Sequence, residues 1–106
     1  MDSFSVTELL RGQDATKVRY LEFLRKASLS MGVYMLPAGA ADPQKPHAED
    51  EAYYVLGGIA SIRVGDEDRA VKPGDLVFVA KGIEHRFHSI TSDLSLLVFF
   101  APAEGS

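Results

Sequence analysis

The chain contains no cysteine, which excludes a disulfide framework and thiol chemistry. It has no surplus of positive charge either, since 11 lysines and arginines stand against 15 aspartates and glutamates, a net charge of -4. With no basic run and no interleaving of aromatic and basic residues, attraction to a phosphate backbone is disfavoured and no nucleic acid partner is expected. No stretch approaches the roughly 20 apolar residues that a helix needs to cross a bilayer. The opening residues, MDSFSVTELLRG, have an acidic second position and no long apolar segment, so they do not read as a secretory signal. The expectations are no membrane partner and a cytoplasmic location. A Gly-x-Ser-x-Gly elbow, a phosphate-binding glycine loop and a dinucleotide fingerprint are also missing, which leaves covalent serine catalysis without its nucleophile.

What is present is an ordinary globular balance, 46% hydrophobic and 25% charged, over 106 residues. That suits one domain with a single core and argues against disorder. Ser5 and Glu8 have capping-box spacing, and the pattern predicts a short helix from Ser5 to Arg11 that Gly12 stops. From Lys17 to Arg25 the run KVRYLEFLR alternates and reads as a strand, with helix as the competitor. SLSMGVYML alternates more cleanly. Leu29, Met31, Val33 and Met35 share one face, Ser30, Gly32, Tyr34 and Leu36 the other, and the methionines read as core or as an adaptable pocket lining. Pro37 to Pro46 is a proline- and alanine-rich loop.

Further strands are expected at Glu51 to Leu56, Ile59 to Val64, Arg69 to Lys72, Leu76 to Ala80, Glu84 to Ser89 and Leu94 to Ala101, set apart by turn residues such as Pro73-Gly74-Asp75, with Gly57-Gly58 as a turn or a bulge. Short strands at this spacing predict an all-β sandwich or barrel, with residues 1–16 as an N-terminal helical segment and 17–101 as the barrel. The last strand, LSLLVFFA, is apolar on both faces. One face enters the core; the other needs cover from the N-terminal strands or from a second copy, and a homodimer is the expectation.

Two stretches carry the chemistry. In GAADPQKPHAEDEAYYVLGG (Gly39 to Gly58), His47 and Glu51 stand four apart at the entry to a strand; in PGDLVFVAKGIEHRF (Pro73 to Phe87), His85 follows Gly82. Two imidazoles and a carboxylate, if they converge, make a metal site. The layout Gly39, Lys45, His47, Glu51, Gly58 resembles the first motif of the cupin superfamily, and Gly74, Ala80, Gly82, His85 resembles the second. The resemblance spans about two-thirds of the chain. It implies an antiparallel β-barrel or jelly roll and a dimer formed through the sheets.

It also implies a divalent metal (iron, manganese, nickel, copper or zinc) held by His47, Glu51 and His85. Two positions depart from the family pattern. Ala80 stands where proline is usual, a matter of backbone only, and Lys45 stands where the first histidine is usual. A lysine ammonium offers no lone pair, so the family's four ligands fall to three.

Each residue also has a plainer reading. The segment HAEDE can be a solvated acidic run, His85 can be a buried histidine bonded to Glu51 without metal, and Glu49 can be a rim carboxylate or an alternative ligand. Lys45 is either a surface residue or a cation leaning over the cavity towards an anionic substrate. Tyr53 is a core residue or a group that orients a ligand. A two-histidine, one-carboxylate set with open positions suits dioxygenase-like chemistry or Lewis-acid chemistry, and the resemblance adds isomerase and decarboxylase activities on a small organic molecule. The alternatives are a non-catalytic barrel that binds a small molecule or metal, and a structural dimer module.

Overall fold

Ser5 caps helix α1 (Val6–Thr16) by accepting a hydrogen bond from the Glu8 amide on its Oγ at 3.3 Å. Gly12, the expected stop, lies inside the helix. One interior glycine costs a helix about 1 kcal/mol but removes no hydrogen bond. The chain leaves α1 at Lys17, which adopts the left-handed conformation (φ 60°) while its amide bonds to Gln13 O. The extra turn has a tertiary partner. The buried Gln13 amide donates to Arg19 O at 2.7 Å and to Val33 O at 3.0 Å, fastening α1 to the strands that follow. These contacts are seen in a computed structural model that describes residues 1–105.

Six strands follow: β1 (Tyr20–Lys26), β2 (Leu29–Leu36), β3 (Asp50–Val64), β4 (Glu67–Val71), β5 (Leu76–Val79) and β6 (His85–Ala101). All pair antiparallel in the order β1-β2-β6-β3-β4, with β5 added to the first part of β3. Gly57-Gly58 and Ser89 do not separate short strands. Instead β3 and β6 are long strands paired along most of their length, and they bend together through irregularities between Val55 and Ser61. Gly58 makes the bend feasible, since its φ is +96° and a Cβ there would run into the Asp93 carbonyl.

The bend folds the sheet over on itself as a jelly roll. Tyr53, Val55, Leu96 and Phe100 on one side pack with Ile62, Phe87 and Ile90 on the other, and the Tyr53 and Phe87 rings meet edge to face at 4.9 Å. The hydrogen-bonded sheet is not closed into a full barrel. A cleft of about 510 Å³ lies between β4 and β5.

The inner face of β2 is the one carrying Ser30, Gly32, Tyr34 and Leu36, all buried. Met31 and Met35, read from the sequence as core or as a pocket lining, are half-buried on the outer face, and Met35 borders a cleft beside α1. Alternation separates two faces without saying which turns inward. The Tyr20 ring decides it here, because it lies over Gly32 on the inner side, where any Cβ would collide with it. On β6 the inner set is Leu94, Leu96, Val98 and Phe100. The outer face carries two registered apolar rows, Met31–Phe99–Ala52–Phe78 and Val33–Leu97–Tyr54–Leu76.

Candidate metal centre

Three segments bring the polar residues together at one end of the jelly roll. Glu51 is the second residue of β3 and points inward beside Tyr53; His85 opens β6 and points inward with Phe87. His47 lies in the preceding loop, which is pinned to the turn before β6 by the Gly82 amide donating to His47 O at 2.8 Å and the Lys81 amide donating to Asp50 Oδ1 at 3.0 Å. One backbone bond and one from the Asp50 side chain therefore hold the His47 loop against the turn that leads into His85. The two rings stand 5.3 Å apart, with Phe100 edge-on to His47 at 4.9 Å.

One ligand atom from each of His47, Glu51 and His85 lies within 4.8 Å of the others, a group that can hold a metal ion. His85 Nδ1 donates to Ile83 O at 2.9 Å, which places the proton of the neutral ring on Nδ1 and leaves Nε2 as a lone pair. That Nε2 is 3.0 Å from Glu51 Oε1, and both side chains are almost wholly buried. Among the described residues neither atom has an aligned hydrogen-bond partner. Two buried acceptors at this separation repel one another unless a proton or a cation lies between them. Burial pushes His85 towards the neutral form, but Glu51 and the Ile83 carbonyl outweigh it and hold its pKa above the ordinary imidazole value.

His47 shows a similar division of labour. Nε2 faces Glu51 Oε1 at 3.8 Å, while Nδ1 faces the Glu104 carboxylate at 3.4 Å. Histidine ligands commonly spend their second nitrogen on a carboxylate or carbonyl, so both rings are arranged as such ligands are. Donors about 2.1 Å from one cation sit roughly 3 to 4 Å from each other, a range that includes the 3.0 Å from Glu51 to His85 and the 3.8 Å from Glu51 to His47. The residues present fit a divalent metal.

The surrounding groups come from far along the chain. A cavity of about 200 Å³ beside the centre is lined by Tyr20, Tyr34, Gln44, His47, Glu51, Tyr53, Val98, Phe100 and Glu104. Burial, reinforced by nearby carboxylates, raises the pKa of Tyr20, Tyr34 and Tyr53, so all three stay phenols and can donate. Tyr34 spends its hydroxyl on Asp42 at 2.7 Å and Tyr53 on Gln44 at 2.9 Å; the buried Tyr20 hydroxyl has no partner among the described residues. Burial likewise raises Glu104, against the lowering influence of His47.

Among the residues marked in the sequence, Tyr53 is buried and lines the cavity. Glu49 is buried and accepts from the Gly105 amide at 3.1 Å, anchoring the C-terminal segment. Lys45 is exposed and does not line the cavity. Sequence reasoning passed over Tyr20, Asp42, Gln44 and Glu104. Gln44 and Asp42 lie inside the first motif, and polar residues in a proline-rich loop leading to a histidine were the available signal. Nothing local marks Tyr20 or Glu104.

A family model described as "Cupin domain" matches residues 32–100. An uncharacterized protein of Streptomyces coelicolor is 46% identical over 104 residues, covering 98% of this chain and 99% of its own. The crystal structure of TT1209 from Thermus thermophilus superposes with a TM-score of 0.76 at 28% identity, covering 97% of this chain and 99% of that one. A cupin family protein from Methanocaldococcus jannaschii, described as a double-stranded β-helix, gives a TM-score of 0.71 at 19% identity over 78% of each chain.

Proposed function

This chain belongs to the cupin domain family, and on that footing we propose that it is a metal-dependent enzyme acting on a small organic molecule, with His47, Glu51 and His85 as metal ligands. The observation that carries the reading is the buried pair Glu51 Oε1 and His85 Nε2, 3.0 Å apart and without aligned hydrogen bonds. A divalent ion held there supplies Lewis-acid or one-electron chemistry, of the dioxygenase, isomerase or decarboxylase kind.

The chain's own residues support the substrate class. Of the described residues that line the cavity, none is lysine or arginine, and the ionisable acids are Glu51 and Glu104. The cavity brings no basic side chain of its own, so a charged group on a substrate would be met by the bound metal ion. Its volume of about 200 Å³ limits the guest to a small molecule. Val98, Phe100 and the aromatic ring faces suit an apolar body.

The working unit of this reading is a homodimer seated on the outer apolar rows, where Leu76 is 72% and Phe78 64% exposed. A face without charges can meet its own copy about a two-fold axis. Elemental analysis of protein prepared without chelator or affinity nickel tests the metal. Near-stoichiometric metal that disappears in Glu51→Ala and His85→Ala is expected; wild-type protein that holds none and takes up none overturns the proposal.

A further inference from the structure

We infer that Gln44 supplies a fourth, neutral oxygen donor to this metal centre, standing in for the ligand position lost to Lys45. The inference rests on the metal reading above and adds a ligand to it.

The first observation is position. Gln44 Oε1 lies 3.3 Å from His47 Nε2, the same nitrogen that faces Glu51 Oε1 at 3.8 Å. With donors about 2.1 Å from a common ion, neighbours at 90–110° are roughly 3.0–3.4 Å apart. The Gln44–His47 separation falls within that range, as does the 3.0 Å between Glu51 and His85. Lys45, one residue along and at the family's usual histidine position, is exposed, whereas Gln44 lines the cavity.

The second observation is orientation. An amide can turn either its oxygen or its NH2 towards a site, and only the oxygen ligates a cation. Here the choice is forced from behind. Gln44 Nε2 donates to Asp42 Oδ2 at 2.7 Å, and the buried Asp42 carboxylate is itself held by the Phe87 amide at 2.9 Å and the Tyr34 hydroxyl at 2.7 Å. A carboxylate can only accept, so Gln44 must give it the NH2 and keep its oxygen facing His47. Tyr53 then donates to that oxygen at 2.9 Å, leaving its second lone pair for the metal. Asp42 thus acts as a positioning residue for the ligand. A neutral donor in place of a histidine also leaves the net charge of the ligand set unchanged.

The test is a titration of the full, metal-free protein with cobalt(II), read by its visible ligand-field absorption and by competition for the ion. Gln44→Ala is expected to weaken binding at least about tenfold and to change the shape of the absorption bands, because a coordinating atom has gone. Asp42→Asn, which lets the amide turn over, should weaken binding in the same direction. Gln44→Ala with unchanged affinity and unchanged bands would overturn the inference while leaving the three-residue centre intact, since the oxygen would then only hydrogen-bond to Tyr53 and His47. Wild-type protein that takes up no cobalt overturns both. Should Gln44→Ala fail to fold, as judged by circular dichroism, Gln44→Leu, close to glutamine in volume and without a donor oxygen, decides: unchanged affinity and bands count against a ligand role, weaker binding with changed bands for it.

Discussion

His85 shows how much one proton position controls. Its Nδ1–H is committed to the Ile83 carbonyl, so the other nitrogen is a bare lone pair facing a buried carboxylate. In the metal-free protein the favourable response is to pick up a second proton, and the pKa of His85 is accordingly above the ordinary value. That proton and a metal compete for the same nitrogen. Metal affinity should therefore fall as pH is lowered, with the decline beginning at a higher pH than for a solvent-exposed histidine. A competition titration between about pH 5 and 8 checks this, and a flat profile down to pH 6 would remove His85 from the ligand set.

At the scale of elements, α1 is held to the sheet by one polar side chain more than by an apolar stripe. Val6, Leu9 and Leu10 are only half-buried, whereas Gln13 is buried and bridges the Arg19 and Val33 carbonyls. Gln13→Ala leaves both carbonyls without that donor and should cost about 1–3 kcal/mol in denaturant unfolding. A loss below a few tenths of a kcal/mol would mean that α1 is held in some other way. Much of this level was legible in the sequence: Ser5 as a cap, the alternating runs as strands, the glycine-rich points as bends. What local signals left open was where an element stops. Gly12 reads as a terminator, yet it lies inside a helix continued to bury Gln13; Gly57-Gly58 reads equally as a turn or a bulge, and pairing with β6 makes it a kink within one strand.

For the whole molecule, the outer face of the sheet is the unfinished part. Leu76, Phe78 and Tyr54 lie beside Leu97 and Phe99 in two registered rows, and α1 is fastened to the β1–β2 side through Gln13. In the proposed homodimer these rows bury each other. Light scattering coupled to size exclusion should give a dimer for the wild type and a monomer for Phe78→Glu, because each copy would place an unpaired carboxylate in the apolar centre. A dimer unaffected by Phe78→Glu would locate the interface elsewhere.

By itself the sequence determined the all-β class, the helix cap, the two-faced strands, and the identity and spacing of His47, Glu51 and His85, because each is written within a few residues of chain. Tertiary structure alone decided which face of β2 is the core, since parity is local but inwardness is set by Tyr20 lying over Gly32. It alone brought Tyr20, Asp42, Gln44 and Glu104 around the histidines. Those neighbours arise from the pairing of long bent strands, from a loop pinned at His47 O, and from a C-terminal segment tied to Ser30 and Glu49. Contacts of that range depend on how the sheet closes over its core, which no periodicity along the chain records.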